Sequence, residues 1–232
     1  MTKIIDPATW DAALRLLAPI VSHEIRNPLA IIGNSSYFIK VKLGKGAETD
    51  PKILKHLGII EEELAHANAT LGEILAFARM HEPALQAHPL NALVETAVRD
   101  LKPEPGVGLK LSLGKDAPRV TADGELASTA IRHVVRNALQ AVAGGRDTPA
   151  QVSVGTSAKG SFGEIEVSDD GPGVPVEALP RLFEPFNTTK PRGIGLGLAY
   201  VQKVLLLHKG SIELVEGTDP GATFRIRLPL AG

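Results

Sequence analysis

The sequence predicts an α+β protein in which an N-terminal helical hairpin precedes a layered domain of mixed strands and helices. Two long apolar patterns with helical spacing lie before residue 80, and strand-like and helical runs alternate from about residue 90 onward. Strands and helices mixed in this way are typical of a sheet covered by helices. The predicted domains are 1–82, the hairpin, and 83–232, the layered domain.

The first helix is predicted to begin near Pro7, because proline is favoured at the first helical position and Asp6 suits the cap before it. Its apolar stripe recurs at spacings of four and seven, at Val21, Ile25, Ile32 and Ile39. The glycines, aspartate and proline within 44–51 end this helix and form a turn.

The second helix carries an apolar seam with alternating spacings of four and three, which is a heptad pattern. Its positions are Ile53, Leu57, Ile60, Leu64, Ala67, Leu71, Ile74 and Ala78. Two helices joined by a short turn leave apolar surface uncovered. A homodimer would bury that surface in a four-helix bundle, and we expect one.

The remainder of the chain is predicted to hold a linker at 82–89 and then alternating elements. Helices are expected over 90–101, 124–143, 176–182 and 195–208, and strands over 107–113, 119–121, 150–156 and 162–168. Asp123 suits the cap of the helix at 124–143. A final hairpin is expected between Ile212 and Leu228, turning at Asp219-Pro220-Gly221.

Composition excludes several classes of function. Among 232 residues there is no cysteine, which excludes disulfides, thiolate catalysis and cysteine-bound metals. The net charge of −1 gives no indication of a nucleic-acid surface. No apolar run approaches the roughly 20 residues that cross a bilayer, so we expect no membrane insertion by this chain and a cytoplasmic location.

His23 has the surroundings of a nucleophile presented on a helix. His23 and Asn27 are four residues apart and share a helical face, whereas Ile25 belongs to the apolar stripe. Pro28 inside the helix costs about 3 kcal/mol and frees a carbonyl near Glu24. Imidazole is largely neutral and nucleophilic at pH 7, and the neighbouring Glu24 suits a base. The alternative is a solvated helix face with an incidental proline.

Glycines near residue 195 indicate a phosphate site of unusual type. Gly193, Gly195 and Gly197 are spaced by two, which matches neither a P-loop nor the dinucleotide fingerprint. Their backbone N–H groups precede the helix predicted at 195–208, whose N-terminal dipole favours phosphate. Lys190 and Arg192 are positioned to hold a γ-phosphate. The segment between Val174 and Arg192 is predicted to act as a lid.

Two further elements complete a candidate nucleotide pocket. Asp169 follows an apolar strand and precedes Gly171 and Gly173, and a carboxylate there can accept the amino proton of adenine. Asn137 lies on a helix, and its amide oxygen is suited to Mg²⁺, which prefers oxygen ligands and retains water. Each feature alone is common in turns or on helices, and the interpretation depends on all three in this order.

These residues resemble the catalytic core of two-component sensor histidine kinases over nearly the whole chain. The motifs similar to those of the family are His23–Leu29 for the H box, Asn137 for the N box, Asp169–Gly173 for G1, Leu182–Phe186 for the F box and Gly193–Gly197 for G2. The resemblance implies a dimerisation and phosphotransfer hairpin, followed by an ATP-binding α/β sandwich of the type found in topoisomerases.

The resemblance also implies roles for individual residues. His23 would accept phosphate, Glu24 would act as its base, and Asn27 would align water for dephosphorylating a receiver domain. Asn137 would hold Mg²⁺. ATP contacts would come from His133, Asn137, Asp169, Gly171, Gly173, Lys190, Arg192, Gly193, Gly195, Gly197 and Thr223. Thr223, in the closing strand, would assist Asp169 at adenine.

The sequence departs from the family pattern at two positions. His133 stands where the N box often begins with asparagine, and Gln140 stands where many members carry lysine. Phosphate contacts are therefore expected to depend more on Lys190 and Arg192. The segments around Asn137 and Lys190 are similar to the nitrogen-regulation branch.

The predicted function is ATP-dependent autophosphorylation on His23, followed by transfer to an aspartate of a response regulator receiver domain. ATP and Mg²⁺ are the expected cofactors, and phosphatase activity on the regulator is also expected. The alternatives are an ATPase of the same superfamily without histidine phosphorylation, and a non-catalytic dimeric scaffold.

Overall fold

A computed structural model describes residues 7–43, 51–78, 82–143, 149–188, 190, 193–215 and 220–232, with side chains of the first helix described from Ile25 onward. The chain divides into two compact units. One comprises the two long helices with the segment Thr188–Leu196, and the other comprises the rest of the described chain. The α+β fold class predicted from the sequence is confirmed, whereas the dimeric bundle stays a prediction.

The two predicted N-terminal helices are present and pack against each other. Helix α1 spans Pro7–Leu43 and continues through Pro28, and helix α2 spans Pro51–Ala78. The predicted turn at 44–51 lies, apart from Pro51, outside the described residues. Between the helices, His56 Nδ1 lies 3.2 Å from the buried Ser35 Oγ, and its ring stacks on Phe38.

The predicted heptad seam of α2 divides into two sets with different surroundings. Ile53, Ala67 and Ile74 are buried. Leu57, Leu64 and Leu71, which alternate with them at intervals of seven, are 43%, 47% and 39% exposed. Because heptad positions a and d lie on neighbouring stripes of a helix, one stripe is covered within the chain and the other is left uncovered.

The second unit is a five-stranded mixed sheet with helices on one face and a separate two-stranded sheet. The strands of the large sheet lie in the order β2 (Val107–Ser112), β4 (Ala150–Lys159), β5 (Phe162–Asp169), β7 (Ala222–Pro229) and β6 (Ser211–Leu214). Only the β2–β4 pair is parallel. The predicted pairing of the last two strands is confirmed, although residues 216–219 of their turn lie outside the described residues.

Helix α4 (Gly124–Val142) is the centre of the helical layer and contacts both other helices as well as β4, β5 and β7. Its flanking helices are α3 (Leu90–Val98) and α5 (Gly197–Leu207), and a 3-10 helix spans Val176–Arg181. Asp123 caps α4 as predicted, since its side chain accepts from the backbone N–H groups of Glu125 and Leu126. The helix that carries Asn137 is therefore fixed at its N-terminus and along its buried face.

The segment predicted as a linker is partly a strand. Gln86–Pro89 forms β1 and pairs antiparallel with β3 (Arg119–Ala122). Arg119 Nη2 also donates to the carbonyl of Ala87 at 2.7 Å. Local sequence carries little sign of this strand, because its four residues end in proline and only His88 is even half-buried.

The face of the large sheet opposite the helices carries a network of ion pairs across β5, β7 and β6. Arg227 Nε lies 2.7 Å from Glu164, Arg225 Nη2 lies 2.6 Å from Glu166, and both arginines reach Glu213. The hydrogen bonds that both arginines donate to these glutamates raise the pKa of the two guanidinium groups. Cross-strand pairs of opposite charge stabilise neighbouring strands, so the network supports the strands that end at Asp169 and begin at Ala222.

Candidate nucleotide site and the histidine helix

Helices α4 and α5 bring three of the predicted site residues together. A Cβ atom placed on Gly197, the first residue of α5, would lie 3.5 Å from His133 Nδ1 and 3.8 Å from Asn137 Nδ2. His133 and Asn137 are four residues apart and therefore occupy the same face of α4. A larger residue at 197 would fill the space over Asn137, so glycine keeps the approach to this amide open.

His133 is buried and electrically neutral. It is 7% exposed, its ring lies 5.1 Å from the ring of Tyr200, and Arg136 Nη2 lies 3.1 Å from its Nδ1. Since guanidinium can only donate, Nδ1 accepts and the ring proton lies on Nε2. Burial, and then the charges of Arg136 and Arg132, lower the pKa of His133 to about 3. His133 therefore contributes no positive charge for phosphate.

Because His133 is buried and its pKa is lowered, we expect the free energy of unfolding to decrease in acid. The ordinary pKa of histidine is 6.5 and the folded value is about 3, so the unfolded chain binds the proton more tightly. Stability is complete above pH 6.5 and falls as the pH drops towards 3, by roughly 2 kcal/mol at pH 5. The check is urea unfolding at pH 7 and pH 5, comparing the parent with His133→Asn, which keeps an acceptor for Arg136 but does not titrate. Equal losses in the two proteins would contradict this prediction.

Asp169 ends the central strand β5 and begins a tight turn against α4. Its Oδ1 accepts from the backbone N–H of Gly171 at 2.9 Å, and its carboxylate is largely buried. A Cβ on Gly171 would lie 3.3 Å from the Cβ of Ala141, one turn after Asn137 on α4. Asp170, the next residue, connects this turn to strand β4, since its Oδ2 accepts from the backbone N–H of Gln151 at 3.0 Å. Asp169 and Asn137 therefore lie on adjoining elements of one unit.

The turn after Asp169 fits against Gly221, and both turns need glycine. Gly221 has φ of +110°, and a Cβ there would overlap the carbonyl oxygen of Asp169. Gly173 has φ of +77°, and its Cβ would lie 3.1 Å from the carbonyl oxygen of Gly221. A side chain at 221 has no room unless Asp169 moves. The position of the candidate adenine carboxylate thus depends on a residue 52 positions later in the chain.

The structure does not bring the hydroxyl of Thr223 to Asp169. In the register of β5 and β7, Asp169 faces Ala222, whereas Thr223 faces Ser168. Side chains alternate between the faces of a strand, so Thr223 projects to the opposite face from Asp169. Its Oγ1 lies 2.8 Å from Ser168 Oγ. The prediction that Thr223 assists Asp169 at adenine is corrected accordingly.

The residues of the predicted lid up to Asn187 belong to the second unit, whereas the later segment Thr188–Leu196, with Lys190, belongs to the unit of the long helices. Within that segment, the N–H of Lys190 donates to Thr188 Oγ1 at 3.1 Å, and the N–H of Gly193 donates to the carbonyl of Lys190 at 3.3 Å. Gly195 has φ of +74°. Arg192 lies outside the described residues. Lys190, Arg192, Gly193 and Gly195 therefore stay predictions as phosphate contacts.

At His23, the structure describes the backbone of helix α1 but not the side chain. His23 and Glu24 lie within α1, and their side chains are outside the description, so the expected outward orientation of His23 stays a prediction. Asn27 is exposed, while Pro28 is buried on the side that faces the hairpin interior together with Ser35. The helical phase predicted for Asn27, away from the apolar stripe, is confirmed.

Sequence reasoning missed the residues that hold the site residues in place. Tyr200 and Arg136 contact His133, and Ala141 contacts the turn at Gly171. In the sequence, only its position one turn into the helix that begins at Gly197 indicated a role for Tyr200. Contacts between α4 and α5 depend on the packing of the helical layer, which no local pattern specifies.

Known proteins similar to this chain include ATPases and sensor histidine kinases. Residues 122–232 match the family described as histidine kinase-, DNA gyrase B-, and HSP90-like ATPase. The sensor histidine kinase ZraS of Escherichia coli K12 is 29% identical over 221 residues, which cover 94% of this chain and 46% of ZraS. The nitrogen regulation protein NtrY of Azorhizobium caulinodans is 31% identical over 219 residues, 91% of this chain and 28% of NtrY.

A solved structure of similar fold is histidine kinase ThkA in its complex with response regulator protein TrrA. The two chains superpose with a TM-score of 0.72 at 24% identity, over 96% of this chain and 64% of that chain. At this identity the likeness concerns the fold. The near-equal identities to ZraS and NtrY do not single out a nitrogen-regulation branch.

Residues 122–232 form an ATPase domain of the histidine kinase, gyrase B and HSP90 type. Over 94% of its length the chain is similar to the sensor histidine kinases ZraS and AtoS of Escherichia coli K12, which supports a histidine kinase core. It spans about half the length of ZraS and less of NtrY. Across the described residues, no helix combines the length and hydropathy needed to span a bilayer.

Proposed function

We propose that this chain uses ATP to phosphorylate itself on His23 and then passes the phosphoryl group to an aspartate of a response regulator. The observation that carries the proposal is the convergence of Asn137, Gly197 and the Asp169 turn in one unit of a chain whose first helix contains His23. Sensor histidine kinases are its relatives. The structurally similar kinase ThkA was solved in complex with a response regulator, which supports a partner of that kind here.

The proposed chemistry is an in-line phosphoryl transfer. A ring nitrogen of His23 attacks the γ-phosphorus, the bond from phosphorus to the β,γ-bridging oxygen breaks, and ADP leaves with that electron pair. Glu24 accepts the proton from the other ring nitrogen as positive charge develops on the imidazole. A receiver aspartate then attacks the phosphorus of the phosphohistidine, the phosphorus–nitrogen bond breaks, and Glu24 returns the proton to the other ring nitrogen so that neutral imidazole leaves.

The residues of the site fit the two proposed cofactors. The buried carboxylate of Asp169 is an acceptor for the amino group of adenine, and its turn places Gly171 and Gly173 at the same edge of the sheet. Asn137 is half-buried beneath the open position of Gly197, which suits an amide ligand for Mg²⁺ beside phosphate oxygens. When bound, Mg²⁺ neutralises charge on the transferring phosphates. We place no nucleotide contact on Thr223, whose hydroxyl bonds Ser168.

Labelled ATP tests the proposal directly. We expect the parent chain to acquire an acid-labile, base-stable phosphoryl group that His23→Gln abolishes, because glutamine keeps a polar side chain but supplies no nucleophilic nitrogen. A matched control is His66→Gln, at a half-buried histidine of α2. Phosphate release without protein labelling would instead indicate the ATPase alternative. A chain that binds no nucleotide would indicate the scaffold.

A homodimer is part of the proposal. The evenly spaced exposed leucines of α2 form an apolar stripe, and a second copy would cover it in a four-helix bundle. We expect Leu64→Glu to convert a dimer into monomers, as measured by sedimentation, because a buried unpaired charge is strongly unfavourable. Ala65→Glu, which adds the same charge at an exposed position on another face of α2, should leave the dimer intact. A monomeric parent chain would exclude the bundle.

We also propose that Asn27 supports phosphatase activity towards the regulator. Its exposed side chain shares a helical face with His23, where an amide can align a water molecule on a phosphorylated aspartate. Loss of phosphate from a labelled receiver domain on addition of the nucleotide-free chain would measure this activity. The cytoplasmic location expected from the sequence is carried with the proposal, because ATP and Mg²⁺ are supplied there.

A further inference from the structure

Asp123 joins three segments of the second unit through hydrogen bonds at its carboxylate and its backbone. Its Oδ1 accepts from the N–H groups of Glu125 and Leu126, each at 3.1 Å, and so caps α4. Its Oδ2 accepts from the N–H of Ala84 at 3.0 Å. The residue is only 7% exposed, so these bonds are made away from bulk water. One carboxylate oxygen is enough to cap the helix. The other oxygen accepts the hydrogen bond from Ala84, 39 positions earlier in the chain.

His208 connects the end of α5 to the same residue. Its Nδ1 lies 2.7 Å from the carbonyl oxygen of Val204, which can only accept, so Nδ1 carries the proton. The other nitrogen, Nε2, is therefore an acceptor, and it receives the backbone N–H of Asp123 at 2.9 Å. His208 is 1% exposed, and its two hydrogen bonds fix the orientation of the ring. Asp123 consequently links the start of α4 to the end of α5.

Ala84 lies near the start of this unit, which takes up the chain from the histidine hairpin at His81. Helix α2 ends at Ala78, and Ala84 follows six residues later. The chain then continues directly into β1, whose partner strand β3 ends at Ala122, next to Asp123. The connecting segment, the helix that carries Asn137 and the helix that begins at Gly197 all meet at this one aspartate. None of these bonds involves a residue assigned to nucleotide contact.

We propose that Asp123 is a positioning residue for phosphoryl transfer, holding the segment that arrives from the histidine hairpin in fixed register with both helices of the nucleotide site. This inference rests on the proposed autophosphorylation. Transfer rates depend steeply on the placement of the donor relative to the acceptor, and a shift of about 1 Å can cost a hundredfold. Release of Ala84 is therefore expected to slow transfer without weakening ATP binding.

The decisive variant is Asp123→Asn. Asparagine is as good a helix cap as aspartate, so Oδ1 still accepts from α4, but an NH₂ group replaces the oxygen that accepts from Ala84. We expect the maximal rate of His23 labelling to fall about tenfold, the loss appropriate to one hydrogen bond with a charged group, while KM for ATP changes less than about twofold. The matched control is Asp116→Asn, the same change at an exposed aspartate.

Ala84→Pro supplies an independent test, because proline removes the N–H donor of this bond and leaves the carboxylate of Asp123 intact. Two changes that break the same bond are not additive, so the double variant should label no more slowly than Asp123→Asn alone. A purely structural effect would instead lower the unfolding midpoint, raise KM and add in the double variant. Amide exchange at Ala84 should also accelerate at least about tenfold in Asp123→Asn relative to the parent chain.

The outcomes separate the positioning role from the proposed function. Labelling of Asp123→Asn at the parental rate would overturn the positioning role and leave the kinase proposal intact. A slower Asp123→Asn whose KM rises in proportion would also overturn it, as would additive losses in the double variant. A parent chain that forms no phosphohistidine would overturn the proposed function and the role in transfer together. Amide exchange at Ala84 would still show whether the bond to Asp123 forms.

Discussion

Gly221→Ala is expected to weaken ATP binding strongly and to destabilise the second unit by more than about 3 kcal/mol. The added methyl group would overlap the carbonyl oxygen of Asp169, and the backbone at φ of +110° is unfavourable for any side chain. Relief requires that the Asp169 turn move away from β7. Since Asp169 is the proposed acceptor for adenine, we expect the affinity for ATP to fall about a hundredfold or more, equivalent to roughly 3 kcal/mol.

A second glycine separates steric overlap from backbone strain. Gly160, in the turn between β4 and β5, also has positive φ, at +59°, but a Cβ there would meet nothing within 4 Å. Gly160→Ala should therefore cost about 1 to 2 kcal/mol and leave ATP affinity unchanged. Calorimetric titration with ATP and urea unfolding of both variants make the comparison. Equal effects of the two substitutions would show that overlap with Asp169 is not the cause.

The sequence was most informative where local chemistry decides structure. The cap at Asp123, the apolar face of α4 and the alternation of β5 predicted these elements to within a few residues. Each of these depends on residues near one another in the chain, where capping and periodicity act.

Features set by distant contacts were missed or misplaced. The strand at Gln86–Pro89 is visible only through its partner β3, because its own side chains are mostly exposed. Thr223 was predicted to assist Asp169, but the register of β5 and β7 turns its side chain to the other face. A shift of one residue reverses every side chain of a strand, and sequence spacing alone does not fix register. The heptad of α2 likewise did not reveal which stripe α1 would cover.

Asn137→Ala is expected to remove Mg²⁺-dependent labelling of His23 almost completely. The amide is half-buried beneath the open position of Gly197, and His133 on the preceding turn is neutral with a pKa of about 3. The positively charged side chains of α4 do not replace this amide, because Arg132 donates to carbonyl groups of α3 and Arg136 donates to His133. We therefore expect the labelling rate to fall at least about a hundredfold, as when one preorganised electrostatic contact is removed from a transition state.

The matched control is Asn68→Ala, the same change at an exposed position of α2. Both variants should unfold near the parental midpoint, because a half-buried amide contributes little to packing and alanine favours helix. Labelling at saturating ATP over a series of Mg²⁺ concentrations separates metal binding from folding. If excess Mg²⁺ restores the rate of Asn137→Ala, the asparagine contributes affinity for the metal. If labelling is normal at low Mg²⁺, the metal assignment fails, and the neutral His133 would leave phosphate binding to groups outside α4.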